Sequence, residues 1–85
     1  LEVEAAMLAH PGLSETAAVE RSVKADTRVI ALYYTGPARV DEAELAQFAA
    51  ARLARYKCPR QFIHLPDLPM SGNGKIDRRA LREAP

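Results

Sequence analysis

The sequence predicts a small α+β domain, a sheet of about three strands flanked by helices in the order α-β-β-α-β-α. Three observations lead there. The run "RVIALYYTG" is β-branched and aromatic, as strands are. The run "VDEAELAQFAAARLARY" carries an apolar stripe at helical spacing. With 85 residues, 48% of them hydrophobic, the chain has material for one core and no linker long enough to split it.

The elements follow in order. In "VEAAMLAHPG" the apolar residues Val3, Ala6, Met7 and Ala9 recur at helical spacing, and acids at the start favour a helix N-terminus through the dipole. His10-Pro11-Gly12 stops this helix. "ETAAVERSV" alternates loosely from Ala18 to Val23 and reads as a strand, and the short "KADT" link to the next run predicts a hairpin. The second strand is almost continuously apolar from Val29 to Tyr34, the pattern of a central strand covered on both faces. In the following helix Asp41 is placed to cap and Glu44 stands three residues on as its capping-box partner. Leu45, Phe48, Ala49, Leu53 and Tyr56 form its stripe, and "KCPR" breaks it at Pro59. "QFIHL" is a short third strand, and "DRRALREA" predicts one or two final helical turns with Asp77 as N-cap.

Composition narrows the function. A net charge of +1 gives no field that would draw nucleic acid or an anionic membrane surface. No apolar stretch approaches the ~20 residues of a membrane span. The lone cysteine, Cys58, has no internal disulfide partner, which fits a cytoplasmic setting. Two isolated histidines and one cysteine make no metal site. The chain opens on Leu1 in mid-pattern, which suggests a piece of a longer protein.

The most distinctive stretch is "LPDLPMSGNGKIDRRALRE", where Lys75 follows Gly72, Asn73 and Gly74. A Walker A loop would need glycine where Pro69 stands and Ser or Thr where Ile76 stands, so no P-loop NTPase can be built on it. The Rossmann pattern fails as well, for want of its other glycines and its βαβ setting. Gly72 and Gly74 permit backbone angles closed to other residues, Ser71 and Asn73 favour turns, and the stretch reads as a mobile loop. Lys75 adds a compact charge on a long stem, suited to reaching an anion some way off. By spacing alone a surface turn with a solvated lysine is the stronger reading, ahead of any catalytic role.

Beyond the single loop, "LARYKCPRQFIHLPDLPMSGNGKIDRRAL" resembles the end of the adenylate-forming superfamily: acyl-CoA synthetases, adenylation domains of non-ribosomal peptide synthetases, and luciferases. "YKCPR" resembles the family's Tyr/Phe-Lys-x-Pro-Arg/Lys turn, "FIHLPDLP" its strand and Leu-Pro step, and "NGKIDRRALR" its terminal lysine motif. "LEVE" is similar to the tail of the motif that opens the family's C-terminal domain, and "GLSETAAV" also fits. One departure stands out: "RSVKADTR" replaces the family's usual Asp…Gly-Glu stretch between the first two strands. Within the superfamily, "YKCPR" leans towards acyl-CoA synthetases, whereas "NGKIDRRAL" also resembles peptide-synthetase adenylation domains.

The resemblance implies that residues 1–85 are a C-terminal lid, working with the enzyme's own large N-terminal domain, which holds ATP, magnesium and the carboxylic acid. Such enzymes form an acyl-adenylate and pass the acyl group to a thiol, that of CoA or of a carrier protein's phosphopantetheine. Lys75 matches the catalytic lysine, with Gly72 and Gly74 as supporting positions near the nucleotide. The lid then rotates for thioester formation, and apart from the rest of the enzyme it would be inactive. "PMSGNGK" also resembles the surroundings of a lysine modified by protein acetyltransferases, which makes Lys75 a candidate for regulatory acetylation. A competing reading from another class is a stand-alone binding or regulatory module without catalysis.

The remaining residues admit plainer roles. Cys58 is a packed small side chain, since no acid–base partner pattern lies beside it. His10 sits where it complements a helix dipole, His64 faces outward from a strand, and Tyr33, Tyr34 and Phe48 are core aromatics. Arg78 and Arg79 face solvent or the partner domain. Arg39, Arg52, Arg55, Lys57 and Arg60 form a basic face that could receive CoA phosphates, though a solvated or inter-domain face is the simpler explanation.

Overall fold

The computed structural model describes residues 2–83. Its organising element is the strand β2 (Thr27–Thr35), which lies between β1 (Glu15–Lys24) and β3 (Gln61–His64). β1 and β2 form the expected antiparallel hairpin, in a register that pairs Glu15 with Thr35 and Arg21 with Val29. β3 runs parallel to β2, pairing Ala31 with Gln61 and Tyr34 with His64. Helix α1 (Glu2–Leu8) precedes the hairpin, α2 (Glu42–Arg52) supplies the crossover between β2 and β3, and α3 (Arg78–Glu83) follows. The order α-β-β-α-β-α and the α+β class are those the sequence predicts. Leu1 of "LEVE" and Ala84 of the predicted final helix lie outside the described residues.

The central strand is covered on both faces, and residues Ala31 to Thr35 are all buried. Because side chains alternate along a strand, Leu32 and Tyr34 enter one layer while Ala31 and Tyr33 enter the other. The first layer gathers Met7 of α1 and Leu45, Ala49 and Leu53 at α2. The second gathers Ala17 and Val19 of β1 with Leu68 and Leu81, and Ile63, Leu65 and Ile76 pack against it. Each fully buried Leu or Met contributes about 1.5–3 kcal/mol by leaving water. The segment on either side of Lys75 thus belongs to the second layer.

Several sequence expectations are corrected. Asp41 occupies the N-cap of α2, yet its side chain makes no capping hydrogen bond. Glu44 does not complete a capping box; its Oε2 accepts a 2.6 Å hydrogen bond from His10 Nε2. His10, just past the end of α1, is buried, with its ring 4.9 Å edge-on from Phe48. Its Nδ1 accepts the Gly12 N–H at 2.9 Å, which puts the ring proton on Nε2 and makes Nε2 the donor to Glu44. The ring so links the end of α1 to α2.

Helix α2 does not continue to Pro59 but ends at Arg52. Leu53 takes an extended conformation (φ −122°, ψ 150°) while its N–H closes onto the Ala49 carbonyl. A 3₁₀ turn over Arg55–Lys57 follows and leaves Tyr56 80% exposed, off the stripe the sequence assigned it to. His64 does not face outward freely. It is half-buried, its Nε2 donates to the Gly36 carbonyl at 3.1 Å, and its ring tilts on Tyr34. Cys58 is partly buried against the first layer, and its thiol reaches the Leu53 and Ala54 carbonyls.

Candidate functional site

The lysine stretch is built from its two roots upward. On the incoming side the Leu65 N–H extends the sheet pairing to the Tyr34 carbonyl at 2.9 Å, and Leu68 is buried in the second core layer. On the outgoing side Ile76 packs against that layer, and Asp77 caps α3 by accepting the Ala80 N–H at 3.1 Å. Between these roots, Met70 bridges Ile76 in antiparallel fashion, and the Asp77 N–H donates to the Pro69 carbonyl at 2.8 Å.

The tip is a tight hairpin. The Ser71 N–H donates to the Lys75 carbonyl at 2.7 Å, and the Gly74 N–H donates to the Ser71 carbonyl at 3.1 Å. Gly74 has φ +80°. A four-residue turn closed in this way and followed by a left-handed residue is the usual three-residue hairpin connection, in which glycine supplies the left-handed position. The Ser71 hydroxyl reinforces it, reaching the Lys75 carbonyl at 3.1 Å and the Asn73 side-chain oxygen. Main-chain hydrogen bonds thus give this glycine-rich loop a defined turn.

Lys75 stands exposed at this tip, and among the described residues nothing in the domain engages its ammonium. The space beside the tip is open as well: a Cβ added at Gly72 or at Gly74 would meet no atom within 4 Å. Inward-facing Ile76 fixes the register of the strand end, so the preceding residue projects to the opposite side. The chemistry on offer is that of one unneutralised cation on a rooted hairpin, with room for an anion to approach it. Among the described residues no group of three or more His, Cys, Asp and Glu side chains is placed to hold a metal ion.

Arg78, three residues past Lys75, is the second feature of this region. Its Nε and Nη2 reach Glu4 of α1, with Nη2 at 2.6 Å from Oε1 and 2.7 Å from Oε2, and Nε at 3.0 Å from Oε2. Glu4 Oε2 also accepts the Ala18 N–H of β1 at 2.7 Å, and Thr16 Oγ1 donates to the Glu4 carbonyl. The sequence expectation that Arg78 faces solvent or a partner domain is therefore corrected: it is tied within the domain. Arg79 is exposed, 3.3 Å from Glu83 one turn on.

The five predicted basic residues divide. Arg52 lies over the Phe48 ring, 3.6 Å from its centroid, and Lys57 pairs with Glu2, whose hydrogen bond and charge hold the lysine pKa above its ordinary 10.5. Arg39 is exposed in the loop before α2. Arg55 and Arg60 instead converge with Arg28 and Tyr56 on an open cleft of about 310 Å³, whose wall also includes Glu20. Arg28 and Arg60 are neighbours because β3 pairs in parallel with β2, where the Arg60 N–H donates to the Ile30 carbonyl at 2.9 Å. No local pattern announces that proximity, which is why Arg28 escapes a reading of the sequence.

The match to known proteins runs along this same architecture. Residues 2–75 match the family described as the AMP-binding enzyme C-terminal domain. The chain belongs to that family. Among curated relatives, a dimodular nonribosomal peptide synthase of Bacillus subtilis is 40% identical over 81 residues, covering 94% of this chain and 3% of its own length. A 2-succinylbenzoate–CoA ligase of Bacillus licheniformis is 36% identical over 80 residues, covering 94% of this chain and 17% of its own. Among solved structures, o-succinylbenzoate CoA synthetase of Bacillus subtilis, in complex with its acyl-adenylate intermediate, superposes with TM-score 0.86 at 32% identity. That alignment covers 99% of this chain and 17% of the synthetase chain. The domain thus spans less than a fifth of these relatives, which include both CoA ligases and a nonribosomal peptide synthase. No helix among its described residues is long and apolar enough to cross a membrane.

Proposed function

We propose that residues 1–85 act as the lid of an ATP-dependent carboxylate-activating ligase and that Lys75 is its catalytic group. The observation that carries this reading is the Lys75 ammonium itself: exposed, without a partner among the described residues, and set on a hairpin rooted in the core. In the reaction a substrate carboxylate oxygen attacks the α-phosphorus of ATP. The new P–O bond forms as the bond to pyrophosphate breaks, leaving an acyl-adenylate. Two anions must approach and charge spreads over the phosphoryl oxygens, so a cation set between them stabilises the transition state. An ammonium with no acid or base beside it fits that electrostatic role better than proton transfer. ATP and its magnesium would be held chiefly by the N-terminal domain, with Lys75 as this domain's contribution to the first step. The lid then turns away, and a thiol attacks the acyl carbon and expels AMP.

The acceptor is CoA or a carrier-protein phosphopantetheine. The cleft lined by Arg28, Arg55, Arg60 and Tyr56 favours CoA, because three guanidinium groups beside an exposed aromatic ring suit a phosphate-bearing nucleotide. The 40% identity to a peptide synthase favours the carrier protein. Acetylation of Lys75 by a protein acetyltransferase would remove the charge the first step requires, so the acetylated enzyme should behave like Lys75→Gln.

The test is carboxylate-dependent exchange of labelled pyrophosphate into ATP by the full-length enzyme. Lys75→Ala should slow it by about 10²–10³-fold, the usual cost of one electrostatic group in such a transition state. Exchange at the unmodified rate would end the proposal. A stand-alone binding module would instead hold nucleotide or a protein partner by itself, which calorimetry on the 85-residue chain would detect.

A further inference from the structure

We infer that Glu4 and Arg78 are positioning residues for Lys75, a carboxylate–guanidinium clamp that fixes where the hairpin stands; this rests on the reading of Lys75 above. The argument begins with what holds each root. The incoming root is held by sheet pairing at Leu65 and by buried Leu68. The outgoing root has Ile76, only partly buried, and then Arg78, the first residue of α3. Arg78 follows directly on Asp77, whose N–H closes the hairpin onto Pro69. Any shift of Arg78 is passed through that bond to the strand end that carries Lys75.

Glu4 is the fixed end of the clamp. One carboxylate takes two guanidinium nitrogens at 2.6–3.0 Å and the Ala18 N–H at 2.7 Å, so α1, β1 and the hairpin root meet at one group. The Glu4 side chain retains 12% of its accessible surface and Arg78 35%. Two charges withdrawn that far from water gain little net stability over an apolar pair, whereas a forked guanidinium–carboxylate contact fixes direction as well as distance. Further along, α3 has its own anchors, since Leu81 is buried and its carbonyl accepts the Tyr33 hydroxyl at 3.1 Å. Removing the fork therefore frees the root of the hairpin more than it frees the helix.

The test uses the full-length enzyme, with both half-reactions followed separately. Arg78→Ala should lower the rate of adenylate formation by about 10-fold or more, since small misplacements of a catalytic group are costly, while KM for ATP and thioester formation from preformed adenylate stay within about twofold. Arg78→Lys keeps the charge but not the fork and should recover part of the loss. Glu4→Gln, which keeps the acceptor for Ala18, should fall between wild type and Arg78→Ala, and these two milder variants carry the test should Arg78→Ala not fold. In the 85-residue chain, hydrogen exchange at the Ser71 and Asp77 amides should quicken in the variants while exchange in β2 stays slow. Unchanged adenylation in Arg78→Ala, or equal loss in both half-reactions, would overturn the clamp. Lys75→Ala run alongside separates the two claims. Loss there but not in Arg78→Ala removes the clamp alone, and full adenylation in Lys75→Ala removes the lysine reading and the clamp's purpose with it.

Discussion

Gly72 and Gly74 look equivalent in sequence, and the structure predicts that replacing them by alanine has opposite consequences. Gly74 has φ +80°, a conformation that costs an L-residue about 1–2 kcal/mol. Alanine also restricts the unfolded chain, which returns about 0.4–1 kcal/mol when the native angles suit it. The net cost of Gly74→Ala is then roughly 1 kcal/mol, all of it from the backbone, because the added Cβ meets nothing within 4 Å. In a domain of this size that lowers the unfolding midpoint by about 4–8 °C if the hairpin melts with the core. Gly72 has the same open surroundings and no positive φ, so Gly72→Ala should be neutral or slightly stabilising. The assay is thermal unfolding of the two variants by circular dichroism, with amide exchange at Ser71 as a local probe. Equal destabilisation by both, or none at Gly74, would refute the assignment of the turn. If Gly72→Ala leaves the domain stable yet impairs adenylation in the full enzyme, the backbone there comes close to the nucleotide.

Other expectations follow from particular contacts. A Cβ at Gly36 would lie 2.3 Å from the Gly12 carbonyl oxygen, so Gly36→Ala must push two loops apart, and chemical denaturation should register a loss of about 1–3 kcal/mol. Lys57 has its pKa raised by Glu2, so the pair's contribution to stability is complete below the ordinary value of 10.5 and is lost as pH rises through the raised one. An NMR titration should find the Lys57 midpoint back near 10.5 in Glu2→Gln. If the acceptor is CoA, Arg60→Ala should raise KM for CoA by roughly tenfold, the equivalent of one charge-assisted hydrogen bond, and leave pyrophosphate exchange unchanged. An unaltered KM for CoA would remove the cleft from the account.

The elements that local chemistry dictates were legible in the sequence. The β-branched run from Val29 to Tyr34 could hardly be anything but a central strand, and Asp77 caps α3 as its residue type suggests. Expectations failed where a distant group outbid a near one. Glu44 stands at the capping-box position but bonds His10, 34 residues away in sequence, because a buried imidazole N–H leaves few alternatives. Tyr56 fits a helical stripe only while the helix continues, and the turn at Leu53 ends it. For the site, Lys75 was visible because Gly72, Asn73 and Gly74 mark the turn just before it. Glu4 and Arg78 lie 74 residues apart, and nothing in either neighbourhood points to the other. Their meeting depends on α1 lying along the free edge of β1, which is a property of the assembled sheet.

The central claim is that Lys75 serves one half-reaction and not the other, and it is tested most directly by measuring both steps in Lys75→Ala of the full-length enzyme under single turnover. The account predicts adenylate formation slowed by about 10²–10³-fold while thiol transfer from supplied acyl-adenylate proceeds within about twofold of wild type. Equal loss in both steps, or loss in neither, would contradict it.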